Sequence, residues 1–208
     1  MNSFFMDLKR AILSVGFCLG LLILIFVLNK RGVYSDLFRI CVPIVSTLPY
    51  SIGWLVDYKS GYLRYYIVRT NMKTYILGKI CSCGISGGLV VAAAVWIFET
   101  FFEIGDYQSE YILLFLTGAL WAVLSATLAV WTNNQYIAYG GSFVICYLLV
   151  ILHDRYFQEF YYIYPYEWMC PENVWVFENN GIVLLLLGII VSLVIVYYGM
   201  VRRRIRNV

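Results

Sequence analysis

Long runs of apolar residues follow one another along the chain, and short polar stretches separate them. A helix of about 20 mostly apolar residues spans the roughly 30 Å of hydrocarbon in a bilayer. Six runs approach that length: 11–28, 37–56, 76–98, 111–131, 136–152 and 182–201. The pattern predicts an all-α integral membrane protein, with six transmembrane helices in a single transmembrane domain that covers residues 1–208.

The first two runs each raise a question about their assignment as spans. Lys9 and Arg10 precede the first run as they would precede a signal peptide. That run is long for a signal core, however, and no small-residue cleavage site follows it, so we expect a retained span. The second run contains Pro43 and Pro49, which membrane helices tolerate because neighbouring groups satisfy the freed backbone.

The segment before the first run is predicted to be an amphipathic N-terminal helix at the membrane interface. Phe4, Phe5 and Leu8 would lie on one face of this helix, with Asp7 and the two basic residues at 9 and 10 on the other.

Composition and charge support the membrane class and give an orientation. The chain is 62% hydrophobic and 13% charged, whereas a soluble domain is about a quarter charged. A cytoplasmic N-terminus leaves only four of the 15 basic residues outside, namely Lys30, Arg31, Arg39 and Arg155. The positive-inside rule therefore favours cytoplasmic N- and C-termini, and the net charge of +3 gives no reason to expect nucleic acid.

The connection between the second and third spans is long enough to carry a function. Tyr62, Tyr65, Tyr66 and Arg69 recur at helical spacing, which predicts a short amphipathic helix over residues 61–73. One interpretation is an interfacial anchor, with basic residues near anionic headgroups. The other interpretation is a docking surface for a cytoplasmic partner.

The connection between the fifth and sixth spans, residues 153–180, is dense in aromatic side chains, and we call it the outer hairpin. Pro165 and Pro171 divide it into two short pieces. Amphipathic rings favour the membrane interface, so the hairpin is expected to be interfacial or re-entrant. It is interpreted as an aromatic belt, as an outer gate over a substrate path, or as both. The gate residues would be Phe157, Phe160, Tyr161, Tyr164, Trp168 and Trp175.

The sequence contains no recognisable catalytic or metal-binding constellation. Its single histidine, His153, cannot form a multi-histidine metal site. Lys79 follows Gly78 but lacks the upstream glycine of a phosphate-binding loop. Ionisable residues are scarce at mid-span, which argues against ion-coupled transport. We therefore expect no catalytic residue, metal or cofactor on this chain.

The loop after the second span resembles that of the permeases of type-2 ABC exporters. The resemblance rests on Asp57, Lys59-Ser60-Gly61, Arg64 and Arg69, followed by Tyr75 and Lys79 at the start of the third span. That family has an acidic-x-x-x-Gly element, a short coupling helix and then Tyr-x-x-x-Lys. The turn at 133–138 and the overall layout, from amphipathic N-terminal helix to basic tail, are similar too. The chain looks most like the compact peptide exporters of Gram-positive bacteria, including those for phenol-soluble modulins.

The resemblance implies that this chain is the non-catalytic transmembrane subunit of an ATP-driven exporter in a bacterial cytoplasmic membrane. Two permease chains, as a homodimer by preference or a heterodimer, would form the translocation pathway at their interface, and two ABC ATPase subunits would bind ATP and Mg. The substrate would be an amphipathic or hydrophobic peptide, such as an antimicrobial, toxin-like or modulin-like one, or a lipid. The helix at 61–73 would be the coupling helix, and the residues implied in ATPase coupling are Asp57, Gly61, Tyr62, Arg64, Tyr65, Tyr66, Arg69 and Lys73. The alternative is a membrane-embedded accessory protein, or an enzyme acting on lipid or peptide, without ATP-driven transport.

Overall fold

The structure is a computed structural model that describes residues 3–32, 35–63, 72–102, 110–171, 173, 175 and 179–206. All regular secondary structure in these ranges is helical. The helices are α1 (Ser3–Ile12), α2 (Val15–Arg31), α3 (Asp36–Val45), α4 (Gly53–Lys59), α5 (Met72–Phe102), α6 (Tyr111–Thr132), α7 (Gln135–Tyr156), a 3-10 turn (Tyr161–Ile163) and α8 (Asn179–Arg206).

Helices α5 to α8 contain the predicted runs 76–98, 111–131, 136–152 and 182–201. Each of these four helices is long and apolar enough to cross a membrane, and a fifth span results if the bent pair α1 and α2 is counted as one. The chain is thus a helical protein of the multi-pass membrane class. Helix length alone gives four or five spans, one or two fewer than the six predicted from hydropathy.

The first apolar run is divided between α1 and α2, which meet at a bend of 46°. Ser14 causes the break because its hydroxyl accepts a hydrogen bond from the backbone N–H of Phe17 at 3.1 Å. A serine in this position caps the N-terminus of a new helix. The uninterrupted helix therefore begins at Val15, whereas the predicted span began at residue 11.

The second apolar run, 37–56, forms two short helices, α3 and α4, with turns between them at 46–52. Pro43 and Pro49 lack the backbone N–H that a continuous helix needs. The Ser142 hydroxyl of α7 donates to the carbonyl oxygen of Pro43 at 3.0 Å, which satisfies a backbone acceptor at the end of α3. The predicted span 37–56 therefore contains two short helices joined by turns, with the interruption in the region of the two prolines.

Helix α6 lies at the centre of the bundle, and α5, α7 and α8 all pack against it. Glycines bring α5 and α6 close: a Cβ added at Gly118 would lie 2.8 Å from the carbonyl oxygen of Gly87. Helix α6 ends at Asn133 in the left-handed conformation, with φ at 55°, which asparagine tolerates well. The Asn134 side chain then caps α7 by accepting from the N–H of Tyr136 at 2.9 Å.

Two buried apolar clusters mark the two ends of the bundle. One contains Trp54 of α4, Tyr75 of α5, Val130 of α6 and Ile205 of α8. The other contains the end of α2, the start of α3, the end of α5 and the start of α6, through Leu28, Phe38, Phe98 and Leu113. The chain therefore passes from one end to the other along α2 and is back at the first end by α4.

Candidate functional site

Five polar side chains meet at the first of these two ends, and we call them the Lys79 cluster: Asp7, Tyr50, Asp57, Tyr75 and Lys79. The ammonium Nζ of Lys79 lies 3.0 Å from Asp7 Oδ1 and 2.9 Å from Asp57 Oδ2. It also lies 2.6 Å from the hydroxyl oxygen of Tyr50. Tyr50 donates its own proton to Asp7 Oδ1 at 2.6 Å, and Tyr75 donates to Asp57 Oδ2 at 2.9 Å.

This geometry satisfies the lysine fully. An ammonium group has three N–H donors, and Lys79 has three oxygen partners within 3.0 Å. The lysine side chain is only 4% exposed, and those of Asp7 and Asp57 are 9% and 14% exposed. Loss of one partner from such a buried ion pair costs about 3–5 kcal/mol, because it leaves an uncompensated charge. The cluster therefore fixes the elements that carry its members.

Those elements are α1, the turn before α4, α4 itself and the first turns of α5. Tyr75 and Lys79 lie four residues apart, so both side chains emerge on one face of α5. Asp57 lies in α4, just before the connection between the second and third predicted spans, which we call the inner loop, and Tyr75 lies just after this loop. The hydrogen bond between these two residues closes the base of the loop.

A cavity of about 70 Å³ adjoins the cluster and is lined by Asp7, Arg10, Asp57, Tyr62 and Lys79 among others. It lies beside a wider, more open space of about 410 Å³, lined by Arg10, Asp57, Ser60 and Tyr62. Asp7, Asp57 and Lys79 together carry a formal charge of −1 at neutral pH, which the Arg10 guanidinium at the cavity wall balances.

The structure places four of the residues predicted to couple to an ATPase. Asp57 belongs to the Lys79 cluster, and Gly61 has a positive φ of 73°, a conformation that glycine adopts without strain. Tyr62 is 46% exposed and lines both cavities. Lys73 lies in the first turn of α5. Arg64, Tyr65, Tyr66 and Arg69 lie outside the described residues.

Sequence reasoning missed the roles of Asp7 and Tyr50 in this site. Asp7 was expected on the polar outer face of the N-terminal helix, but it is 6% exposed and points into the protein. The buried ammonium of Lys79 attracts it there. One signal was available: a lysine inside an apolar run needs a partner, and Asp7 and Asp57 are the two acidic residues that the predicted orientation leaves inside.

The outer hairpin folds back onto the opposite half of α6. The backbone carbonyl of Trp168 accepts a hydrogen bond from the hydroxyl of Thr117 at 3.2 Å. The Trp168 ring stacks on Trp121, with centroids 6.1 Å apart. Trp121 follows Tyr111, the first residue of α6, by ten positions, or about 15 Å at 1.5 Å per residue. The hairpin therefore reaches a level close to the middle of α6.

The six predicted gate residues fall into three pairs by burial. Phe157 and Phe160 are 42% and 53% exposed, Tyr161 and Tyr164 are half-buried, and Trp168 and Trp175 are 4% and 5% exposed. Tyr161 contacts Trp175 edge-on, with centroids 5.1 Å apart. Tyr164 instead stacks on His153 of α7 at 4.2 Å. The two tryptophans thus belong to the buried core, whereas the two phenylalanines lie on the surface.

Tyr166, in the middle of the hairpin, covers Arg39 of α3. The Arg39 guanidinium lies 5.6 Å from the centroid of the Tyr166 ring.

An apolar groove lies beneath the hairpin, with a volume of about 370 Å³. Helix α6 forms its floor, α7 and α8 form its two walls, and the hairpin closes one end. Its lining residues are Leu120, Trp121, Leu124, Ile145, Leu149, Tyr162, Ile163, Trp168, Leu185 and Ile189.

Comparison of the chain with protein-family models, with curated proteins and with solved structures gives no match.

Proposed function

We propose that this chain is the transmembrane subunit of an ATP-driven exporter with six spans and both termini in the cytoplasm. The observation that carries the proposal is the Lys79 cluster. It ties together the two ends of the inner loop, through Asp57 before the loop and Tyr75 and Lys79 after it. A loop held at its base moves with the bundle as one body, which is what transmission of force from a cytoplasmic ATPase requires.

The path of the chain supports six spans. Asp7 of α1 contacts Lys79 at the beginning of α5. At the same end, Arg204 of α8 donates to the carbonyl oxygen of Trp131 at 2.8 Å. The two termini thus lie at one end of the bundle, which requires an even number of crossings between them. Helices α5 to α8 supply four crossings, and α2 with the broken segment α3 and α4 supplies the remaining two.

The substrate in this proposal is an amphipathic or hydrophobic peptide, or a lipid, which moves along the interface of two permease chains. ATP and Mg bind the partner ATPase. In this arrangement the segment 61–71 docks on the ATPase, with Arg64 and Arg69 facing acidic groups and the tyrosines as buried anchors.

Co-expression and co-purification with candidate ABC ATPase subunits from the same genome tests the proposal. The double variant Arg64→Ala, Arg69→Ala is expected to lower the amount of ATPase retained at least about tenfold, since anchor residues of an interface each contribute that much or more. The matched control is Lys30→Ala, Arg155→Ala, which removes two basic residues at the opposite end and should leave retention unchanged. Failure of the ATPase to associate, or equal retention by both double variants, would favour the accessory protein instead.

A further inference from the structure

Export along the interface of two permease chains does not require the apolar groove under the outer hairpin, so the groove can serve a separate function. We propose that it binds one acyl chain of a bilayer phospholipid, and that this chain supports the outer hairpin against α6. The proposal rests on the membrane topology of the proposed function but does not involve the ATPase.

The lining decides the chemistry of the occupant. The walls are leucine and isoleucine side chains, the floor is two leucines and Trp121, and the closed end is formed by Tyr162, Ile163 and Trp168. Water needs two to four polar partners to occupy a cavity stably, and this surface is almost entirely carbon. A volume of about 370 Å³ is about two and a half times that of an engineered apolar cavity which stays dry and binds benzene.

The position of the groove decides the source of the occupant. It opens between α7 and α8, whose most apolar stretches are each only 17% buried, against 61% and 72% for α5 and α6. These two helices therefore present their outer faces to the surrounding medium, which in the proposed topology is lipid hydrocarbon. An acyl chain enters from that side without leaving the bilayer.

The wall of α7 continues toward the membrane surface with groups that suit a lipid headgroup region. Ile145 and Leu149 are followed on the same face by His153 and by Tyr156, which is 72% exposed. Tyr156 lies about 10 Å above Leu149, at 1.5 Å per residue. Amphipathic rings at this level fit the interface above a buried chain.

Because Tyr162, Ile163 and Trp168 belong to the hairpin, an acyl chain in the groove contacts the hairpin and α6 at the same time. Occupancy then favours the conformation in which Trp168 lies on Trp121. The lipid acts as a ligand of the folded hairpin and stabilises it by mass action.

Native mass spectrometry of the purified chain, without the ATPase, tests the site with palmitoyl-oleoyl phosphatidylcholine as the probe. We expect one phospholipid retained per chain. The larger side chains of the double variant Leu149→Phe, Leu185→Phe fill the groove. If about two methylene groups of the acyl chain lose their contact with the groove, the affinity for the lipid should fall about tenfold. The matched control, Leu148→Phe, Leu184→Phe, changes the adjacent residues, which are 52% and 65% exposed, and should retain the lipid.

Equal lipid retention by the two double variants, or none by the wild-type chain, would overturn the proposal. So would a groove-filling variant that turns a dimer into a monomer, since the occupant would then be a second copy of the chain. If that variant does not fold, phosphatidylcholine brominated in its acyl chains serves on the wild-type sequence. It should quench a component of emission that saturates at low mole fraction of brominated lipid and is missing in the double variant Trp121→Phe, Trp168→Phe, which replaces both tryptophans that line the groove. Quenching that is linear and identical in the two proteins would contradict the site. Because the ATPase is absent throughout, failure here leaves its co-purification unaffected.

Discussion

Lys79 is the residue on which the polar end of the bundle depends, because its ammonium contacts two carboxylates and a phenol from three separate elements. Replacement by methionine keeps much of the side-chain volume and removes the charge. Asp7 and Asp57 would then face each other without a cation. We expect Lys79→Met to lower the free energy of unfolding by about 3–5 kcal/mol, measured by denaturant titration of the purified chain in detergent.

Lys59→Met is the matched control, since Lys59 is an exposed lysine of α4 and should change stability by less than about 0.5 kcal/mol. Adding Asp7→Asn to Lys79→Met should recover part of the loss, because one of the two buried negative charges is then removed. If Lys79→Met and Lys59→Met unfold at the same denaturant concentration, the cluster does not hold the bundle together.

The members of this cluster also mark the limit of what the sequence predicts about the site. Asp57, Tyr75 and Lys79 lie within 22 residues of one another, so loop and helix spacing bring them to one region. Asp7 lies 72 residues from Lys79. Helical periodicity shows which residues share one face of a helix, but it does not show which other helix packs against that face. Its partner depends on how α1 packs against α5, which is a tertiary contact.

At the scale of elements, the contact between α5 and α6 depends on glycine. A Cβ at Gly118 would lie 2.8 Å from the Gly87 carbonyl oxygen and 2.9 Å from Val91 Cγ2. The carbonyl belongs to the backbone, so the helices must separate to admit a methyl group. We expect Gly118→Ala to destabilise the chain by about 1–3 kcal/mol, measured by thermal unfolding in detergent.

Gly140→Ala makes the same chemical change on α7 at a position where a Cβ meets nothing within 4 Å. There the higher helix propensity of alanine should leave stability unchanged or raise it by up to about 1 kcal/mol. Equal destabilisation by both alanines would mean that backbone flexibility, rather than close packing, explains the two glycines.

Hydropathy predicted the long helices well and the broken segment poorly, for a physical reason. Helices α5 to α8 are uninterrupted apolar runs. The run 37–56 is also mostly apolar, but Pro43 and Pro49 lack the backbone donors of a continuous helix. Ser142, whose hydroxyl donates to the carbonyl oxygen of Pro43 where α3 ends, lies 99 residues away. The apolar composition of a segment indicates how favourably it partitions into lipid. It does not indicate which residues will satisfy the hydrogen bonds of its backbone.

At the scale of the whole molecule, whether the two ends of the chain lie on one side of the membrane determines if the number of crossings is even or odd. Asp7 and Arg204 both reach the end of the bundle that contains Trp54 and Tyr75. Arg202, Arg203, Arg204 and Arg206 also lie in this part of α8, so the positive-inside rule favours the cytoplasmic side for that end in the proposed topology. A count of five spans, in which α3 and α4 do not cross, would separate the ends.

Reporter fusions distinguish these two topologies. Green fluorescent protein fluoresces only when it folds in the cytoplasm, and alkaline phosphatase is active only outside it. Fusions of the fluorescent reporter before residue 3 and after residue 206 should both fluoresce, and alkaline phosphatase inserted after Gln158, in the exposed turn beyond α7, should be active. Exchange of the two reporters at each site is the control and should reverse every result. A fluorescent C-terminal fusion together with an active N-terminal phosphatase would establish an odd number of crossings, because the two ends of the chain would then lie on opposite sides of the membrane.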